Sequence, residues 1–159
     1  MTAPPPADPE DRGPAAPKTD PSPHALSGLV AASHLITGAA DKQALADGLV
    51  KILAPQAVKN FELLKLESSS APEVEIAVAW DARGEPPVAV GARYPRAAYP
   101  GLDREPIGPA VLFEDCLNDP SLPETMRPVL AELGIRAAAF YPTIAQGELT
   151  GALVVKFGE

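Results

Sequence analysis

Apolar residues recur along this chain in two rhythms, one helical and one alternating. Leu45, Leu49, Ile52 and Leu53 fall at i, i+4, i+7 and i+8, which predicts a helix. Asp41 is a suitable N-cap for it, and Pro55 stops it. Upstream, Leu26, Leu29, Val30 and Ile36 recur near the same spacing, so a first helix is expected from His24 to about Thr37, closed by Gly38. The rhythm then changes. Val74, Ile76, Val78 and Trp80 alternate with Glu73, Glu75, Ala77 and Ala79, the pattern of a half-buried strand with Trp80 on its core side. Val58 to Glu67 is also β-like, and S-S-S-A-P between the two runs predicts a turn.

The last third of the chain predicts strand, loop, helix, strand, turn, strand. Ile135 to Ala145 and Leu149 to Phe157 are apolar runs joined by Gln146, Gly147 and Glu148, a hairpin signature. Pro142 cannot donate to a ladder, so it belongs at a bulge or an edge. Ser121 and Glu124 form a capping box, and Pro123 suits a first helical turn. Val129, Leu130 and Leu133 supply an apolar stripe, and Gly134 fits the left-handed end of a helix. Pro128 would remove an interior hydrogen bond, so a kink and a restart near it are expected.

Two segments carry no such rhythm. Residues 1–24 hold 8 of the 20 prolines and no Val, Ile, Leu or Phe. They cannot bury enough apolar surface to offset chain entropy, which predicts a disordered arm ahead of a domain over 25–159. Its P-x-x-P run, Pro14 to Pro17, offers docking for a proline-binding partner; the competing reading is a solvated tail. From Asp81 to Pro106 the sequence is irregular and long for a loop inside a domain. It carries Arg83, Arg93, Arg96, Arg104, Tyr94 and Tyr99. Arginines can fork onto a carboxylate or phosphate, and tyrosines offer a stacking face with a polar tip. The alternative is a solvated loop balanced by Glu85, Asp103 and Glu105.

Charge and composition narrow the function. The net charge of −8 and the lack of adjacent Lys or Arg residues argue against nucleic acid. No apolar stretch approaches the length of a membrane span, and no signal peptide opens the chain. A single cysteine, Cys116, excludes a disulfide framework and fits a reducing cytoplasm. His24 and His34 lack partners at metal-ligand spacing. No nucleophile elbow, P-loop or dinucleotide fingerprint occurs, and Asp115 and Asp119 have no partnering base. The expectation is a non-enzymatic module.

Several short runs together resemble the GAF family. They are D-x-x-x-D-P-x-L from Asp115 to Leu122, L-G-I-R from Leu133 to Arg136, Y-P at Tyr141 and Pro142, and G-x-L-x-G-x-L from Gly147 to Leu153. The resemblance covers roughly residues 25–159. It implies an α+β fold with a central antiparallel sheet of five or six strands and helices packed on both faces. It also implies a sensory or regulatory module, with the segment after the second strand as the lid of a small-ligand pocket. Trp80, Arg93, Tyr94, Arg96, Tyr99, Phe113, Arg136 and Phe140 are the expected lining. GAF domains usually continue into one more helix, so a module ending at Glu159 is expected to lack that output helix.

The family's sharper chemistries do not carry over. Bilin-attaching cysteines are commonly followed by histidine, whereas Cys116 is followed by Leu117. Methionine sulfoxide reductases of this family use several cysteines. The cyclic-nucleotide signature N-K-x-F-D-E has only Lys59-Asn60-Phe61-Glu62 near it, which does not match. No cofactor follows. The expected partners are a small-molecule ligand and a second copy or another protein; the small residues Gly28, Ala31, Ala32 and Ser33 of the first helix either allow close approach of a partner helix or fit that helix under its own sheet. The alternative function is a structural interaction protein with a vestigial pocket. Arginines turned inward favour sensing; a pocket filled by Phe113, Phe140, Tyr141 and Leu153 favours scaffolding.

Overall fold

The Asp41 carboxylate accepts the Ala44 N–H at 2.7 Å and so caps helix α1 (Lys42–Leu53), as its position predicts. The computed structural model describes residues 41–56, 58–103 and 110–158. The Pro-rich arm and the first helix expected from His24 lie outside the described residues. Leu45, Leu49 and Leu53 line the buried side of α1.

Six strands follow: β1 (Val58–Leu66), β2 (Glu73–Asp81), β3 (Arg93–Pro95), β4 (Val111–Phe113), β5 (Ala137–Ala145) and β6 (Glu148–Phe157). They form one antiparallel sheet in the order β3-β2-β1-β6-β5-β4. Helix α1 packs on one face, over Phe61, Leu63, Val78 and Val155. The other face carries Leu64, Ile76, Phe140 and Val154 beneath Tyr99, Leu102, Cys116, Leu122 and helix α2 (Met126–Glu132), which contributes Leu130. The expected α+β architecture, a central antiparallel sheet of six strands with helices on both faces, is therefore present.

The alternation expected of β2 is broken midway. Leu63 pairs with Val78, but Leu64 pairs with Ile76, so Ala77 is an extra residue in a β-bulge. The bulge turns the strand over. Val74 and Ile76 lie on the loop face, and Val78 and Trp80 lie on the α1 face. Sequence periodicity assigns all four to one face because an inserted residue leaves no mark in it.

The region after β2 is more ordered than its composition predicts. It yields β3, whose Tyr94 pairs with Val74, and two 3₁₀ turns, Arg96–Ala98 and Pro100–Leu102. Short 3₁₀ turns suit a Pro- and Gly-rich segment, since they need few hydrogen bonds in sequence.

The expected capping-box residues do not start the helix, whose N-cap is Thr125. Asp119 accepts the Ser121 N–H at 2.8 Å and the Ser121 hydroxyl, and α2 begins only at Met126. This start places Pro128 in the first turn, where a missing N–H removes no helical bond. Val129 is correspondingly 54% exposed rather than part of the apolar stripe. At the other end the sequence is a sound guide: Gly134 adopts φ +65°, and the Ile135 N–H reaches the Leu130 carbonyl at 2.8 Å, with Gly134 bonding Ala131 at 3.0 Å. That is a Schellman cap. The β5–β6 turn is tighter than expected. Ala145 pairs with Glu148, leaving Gln146 and Gly147 as a two-residue turn, both at positive φ. Among the described residues, β4 pairs with β5 only as far as Phe140, so no described strand residue pairs with Pro142 on its outer side.

Candidate functional site

Polar side chains cross the otherwise apolar loop face of the sheet in a row. Asn60 on β1 stands between Asp81 on β2 and Lys156 on β6, directly paired with each in the ladder. Glu62 lies two residues along β1, on the same face as Asn60. Asn60, Glu62 and Asp81 are all essentially buried, at 1%, 1% and 2% exposure. Buried carboxylates require partners. Glu62 has two: Lys156 Nζ donates to Oε1, and the Tyr99 hydroxyl donates to Oε2 at 3.2 Å. Tyr99 belongs to the irregular segment above the sheet, so its hydroxyl bonds that segment to the sheet floor.

Burial raises the Tyr99 phenol above its ordinary range, and the Glu62 charge and hydrogen bond add to this, with a smaller contribution from Tyr94. Tyr99 is thus a neutral hydrogen-bond donor. Burial also acts to raise the Asp81 carboxyl. The Arg83 side chain and backbone, its charge and the neighbouring Asn60 amide more than offset this, so Asp81 is held below the usual carboxylate range. Asp81 Oδ1 accepts the Arg83 N–H at 2.8 Å and Nε at 3.1 Å, and Oδ2 accepts Arg83 at 3.3 Å.

Asn60 is the exception. Its amide donates weakly toward the Asp81 carboxylate and helps to hold it down, although neither Nδ2 nor Oδ1 makes a well-formed hydrogen bond. Buried amides without partners are uncommon, because each desolvated group costs about 1–3 kcal/mol.

The expected lining residues divide among different places. Tyr94, Tyr99, Phe113 and Phe140 share the loop-face cluster, and Phe113 and Phe140 meet edge to face at 5.6 Å. Gly101 presses on this pair: a Cβ there would stand 2.4 Å from Phe140 Cγ. Trp80 is on the opposite face, half-buried and stacked on Phe61 at 5.6 Å. Arg93 is exposed on β3 beside Glu67 and Glu75. Arg96 is a staple within its own segment, bonding Asp103, the Ser69 carbonyl and the Leu102 carbonyl. Arg136 is exposed next to β5, with its backbone bonded to Cys116 and Phe157. Tyr141 and Leu153, expected as pocket filling, are on the α1 face instead.

Asn60, Glu62, Asp81 and Lys156 were absent from the sequence-based lining. A signal existed: Asn60 and Glu62 sit two apart within an apolar strand, which puts both on one face. What lay across from them depended on pairing. Cys116 is buried, and burial followed by the charges of Asp119 and Asp115 raises its thiol, making it a poor nucleophile. Among the described residues no His, Cys, Asp and Glu group is arranged to hold a metal ion. No described helix is long and apolar enough to cross a membrane.

Two surface hollows lie elsewhere. One of about 300 Å³ is lined by Lys65, Glu67, Ala71, Pro72, Val74 and Arg93 among others. Another of about 330 Å³ lies between Leu112 and the Glu114–Asp119 loop. Neither borders the polar row.

The fold is shared with solved GAF domains. The chain superposes on the phycocyanobilin-bound GAF domain of a cyanobacterial phytochrome with a TM-score of 0.61 at 16% identity, covering 84% of this chain and 80% of that one. It matches the A. aeolicus nlh2 GAF domain with a TM-score of 0.57 at 12% identity, over 84% and 79% of the two chains. The chromophore-binding domain of the R. palustris bacteriophytochrome RpBphP3 gives 0.51 at 16% identity, over 83% of this chain; this chain spans about half, 52%, of that one. The sequence matches no protein-family model and no curated protein.

Proposed function

We propose that this chain is a non-enzymatic, cytoplasmic sensory or regulatory GAF-like module that takes a small ligand on the loop face of its sheet. The observation carrying this reading is the buried polar row, above all the poorly satisfied Asn60 amide. A core serving only as scaffold gains nothing from desolvated polar groups, since apolar residues of similar volume are as stable or more so. A ligand would supply the missing hydrogen bonds. The shared fold supports a ligand-binding reading, because the neighbours include GAF domains solved with a bilin bound.

Native mass spectrometry of protein purified from its own host tests the reading. A retained small molecule, displaced by substitution of Asn60 or Glu62, is expected. Protein that carries none, and gains no stability from a broad metabolite panel, overturns it.

The second reading, a structural interaction protein with a vestigial pocket that docks a partner through the Pro-rich arm and the expected first helix, has its own observation. Phe113 and Phe140 occupy the loop face, with Gly101 packed against them, and no expected arginine turns inward there. Light scattering separates the two: a ligand-free protein with a stable partner or dimer favours the scaffold.

A further inference from the structure

We infer that the open hollow beside the β1–β2 turn is a further ligand site, separate from the polar row, and that it takes a small zwitterion, a free amino acid. The hollow measures about 300 Å³, and its charged lining is Lys65, Glu67, Glu73, Glu75 and Arg93. The ladder sets Lys65 opposite Glu75 and Glu75 opposite Arg93, one row across three strands. Partners across a ladder share a face, as do residues two apart on a strand, so Glu73 stands beside that row. Lys42 on α1 reaches Glu75 at 3.5 Å, which places these charges on the α1 face. The wall of the hollow is fixed before any ligand arrives. The Arg96 N–H donates to the Pro72 carbonyl at 2.8 Å, and its guanidinium donates to the Ser69 carbonyl at 2.6 Å, pinning the turn that carries Ala71 and Pro72. A pre-formed wall lowers the ordering cost of binding.

Charge pairing selects the ligand. Glu75 is met by Lys42, and Glu67 by Arg93. Arg93 stands 3.6 Å from Glu67 and 3.9 Å from Glu75, both beyond hydrogen-bond length, so its planar fork of donors keeps capacity for a carboxylate. Lys65 and Glu73 are exposed, and among the described residues neither side chain has an ion-pair partner. One ammonium and one carboxylate are thus left over. They are diagonal neighbours across the β1–β2 pair, about 7–8 Å apart at the backbone, within reach of a single small molecule. A ligand with one charge of each sign satisfies both: Lys65 and the Arg93 fork take its carboxylate, and Glu73 takes its ammonium. A simple anion would meet the three glutamates, and a simple cation would meet Lys65 and Arg93, so each carries a like-charge cost that a zwitterion avoids. The volume lies at the small end of ligand pockets, which suits an amino acid better than a nucleotide.

The experiment titrates the full, isotope-labelled chain by NMR. The probes are L-alanine as the zwitterion, acetate as its carboxylate alone and methylammonium as its ammonium alone. Ionic strength is held constant, because salt screens an exposed site. The backbone amides of Ala71, Glu73, Glu75 and Arg93 are followed. L-alanine should saturate their shifts at a concentration about tenfold lower than either half-molecule, since its second contact becomes intramolecular. Glu73→Gln should remove the advantage of L-alanine over acetate. The double variant Lys65→Gln, Arg93→Gln should remove its advantage over methylammonium. All three side chains are exposed, so the variants should keep the wild-type unfolding midpoint.

Saturation by L-alanine no tighter than by acetate or by methylammonium overturns the zwitterion assignment, and so does an advantage that survives both sets of substitutions. No saturable shift with any probe, or shifts only at residues away from the hollow, overturns the site itself. None of these results bears on the loop-face reading, which is judged by a retained molecule and its displacement at Asn60 or Glu62.

Discussion

Tyr99 and Glu62 are 37 residues apart, and the Tyr99 hydroxyl donates to Glu62 Oε2 at 3.2 Å beneath the surface of the domain. This bond joins an irregular segment of the described chain to the middle of strand β1. Phe at position 99 keeps the ring and deletes the donor. Tyr99→Phe should cost about 1.5–3 kcal/mol, the usual worth of a hydrogen bond to a charged group. Urea unfolding should show a lower midpoint at unchanged m-value; an unchanged midpoint would mean that the segment is held by Leu102 and Gly101 packing alone.

Lys156 and Glu62 form the second bond of this cluster. Removing one partner strands the other, so Lys156→Met alone should destabilise by about 3 kcal/mol, the lower end for broken buried pairs, since Lys156 retains some exposure. Adding Glu62→Leu should recover most of the loss. A double-mutant cycle with no coupling would show that Glu62 depends on Tyr99 only.

Asp81 sets an acid dependence. Its folded carboxyl titrates below the unfolded value of about 3.9 because of Arg83. The stability it contributes is present above that unfolded value and is lost as pH falls through the lower folded one. Between pH 5 and the acid limit, Asp81→Asn should flatten the decline in unfolding free energy. Parallel pH profiles for the two proteins would refute the assignment.

Gly101 has no room for a side chain. A Cβ would lie 2.4 Å from the Phe140 ring, so Gly101→Ala should cost about 1–3 kcal/mol through overpacking. Phe140→Leu should relieve part of it. Calorimetry that finds Gly101→Ala neutral would mean that the Pro100–Leu102 turn shifts freely off the sheet.

Trp80 lies on the α1 face, on the opposite side of the sheet from the polar row, and is only half-buried. Its fluorescence should therefore be intermediate between buried and aqueous indole and unaffected by a ligand at Asn60. Trp80→Ala should cost about 2–3 kcal/mol, less than a fully buried aromatic. A ligand-dependent shift in emission would require coupling across the sheet.

Local signals carried much of this architecture. The Asp41 cap, the heptad-like leucines of α1, the Gly134 stop and the β5–β6 turn were legible because each depends on residues within one turn of helix or one hairpin. Where local signals competed, sequence alone misled. Ser121 and Glu124 spell a capping box, but Pro128 moves the helix start to Met126. Ala77 looks like any outward residue of an alternating strand, yet it is a bulge that moves Trp80 to the far face. The candidate site was the least legible part. Asn60 and Glu62 are two polar residues in an apolar strand; that they share one face follows from strand periodicity. That Asp81, Lys156 and Tyr99 surround them follows only from pairing strands that lie far apart in the chain. Periodicity fixes which side of a strand a residue occupies, whereas register and topology fix its neighbours, and those are set by packing of the whole domain.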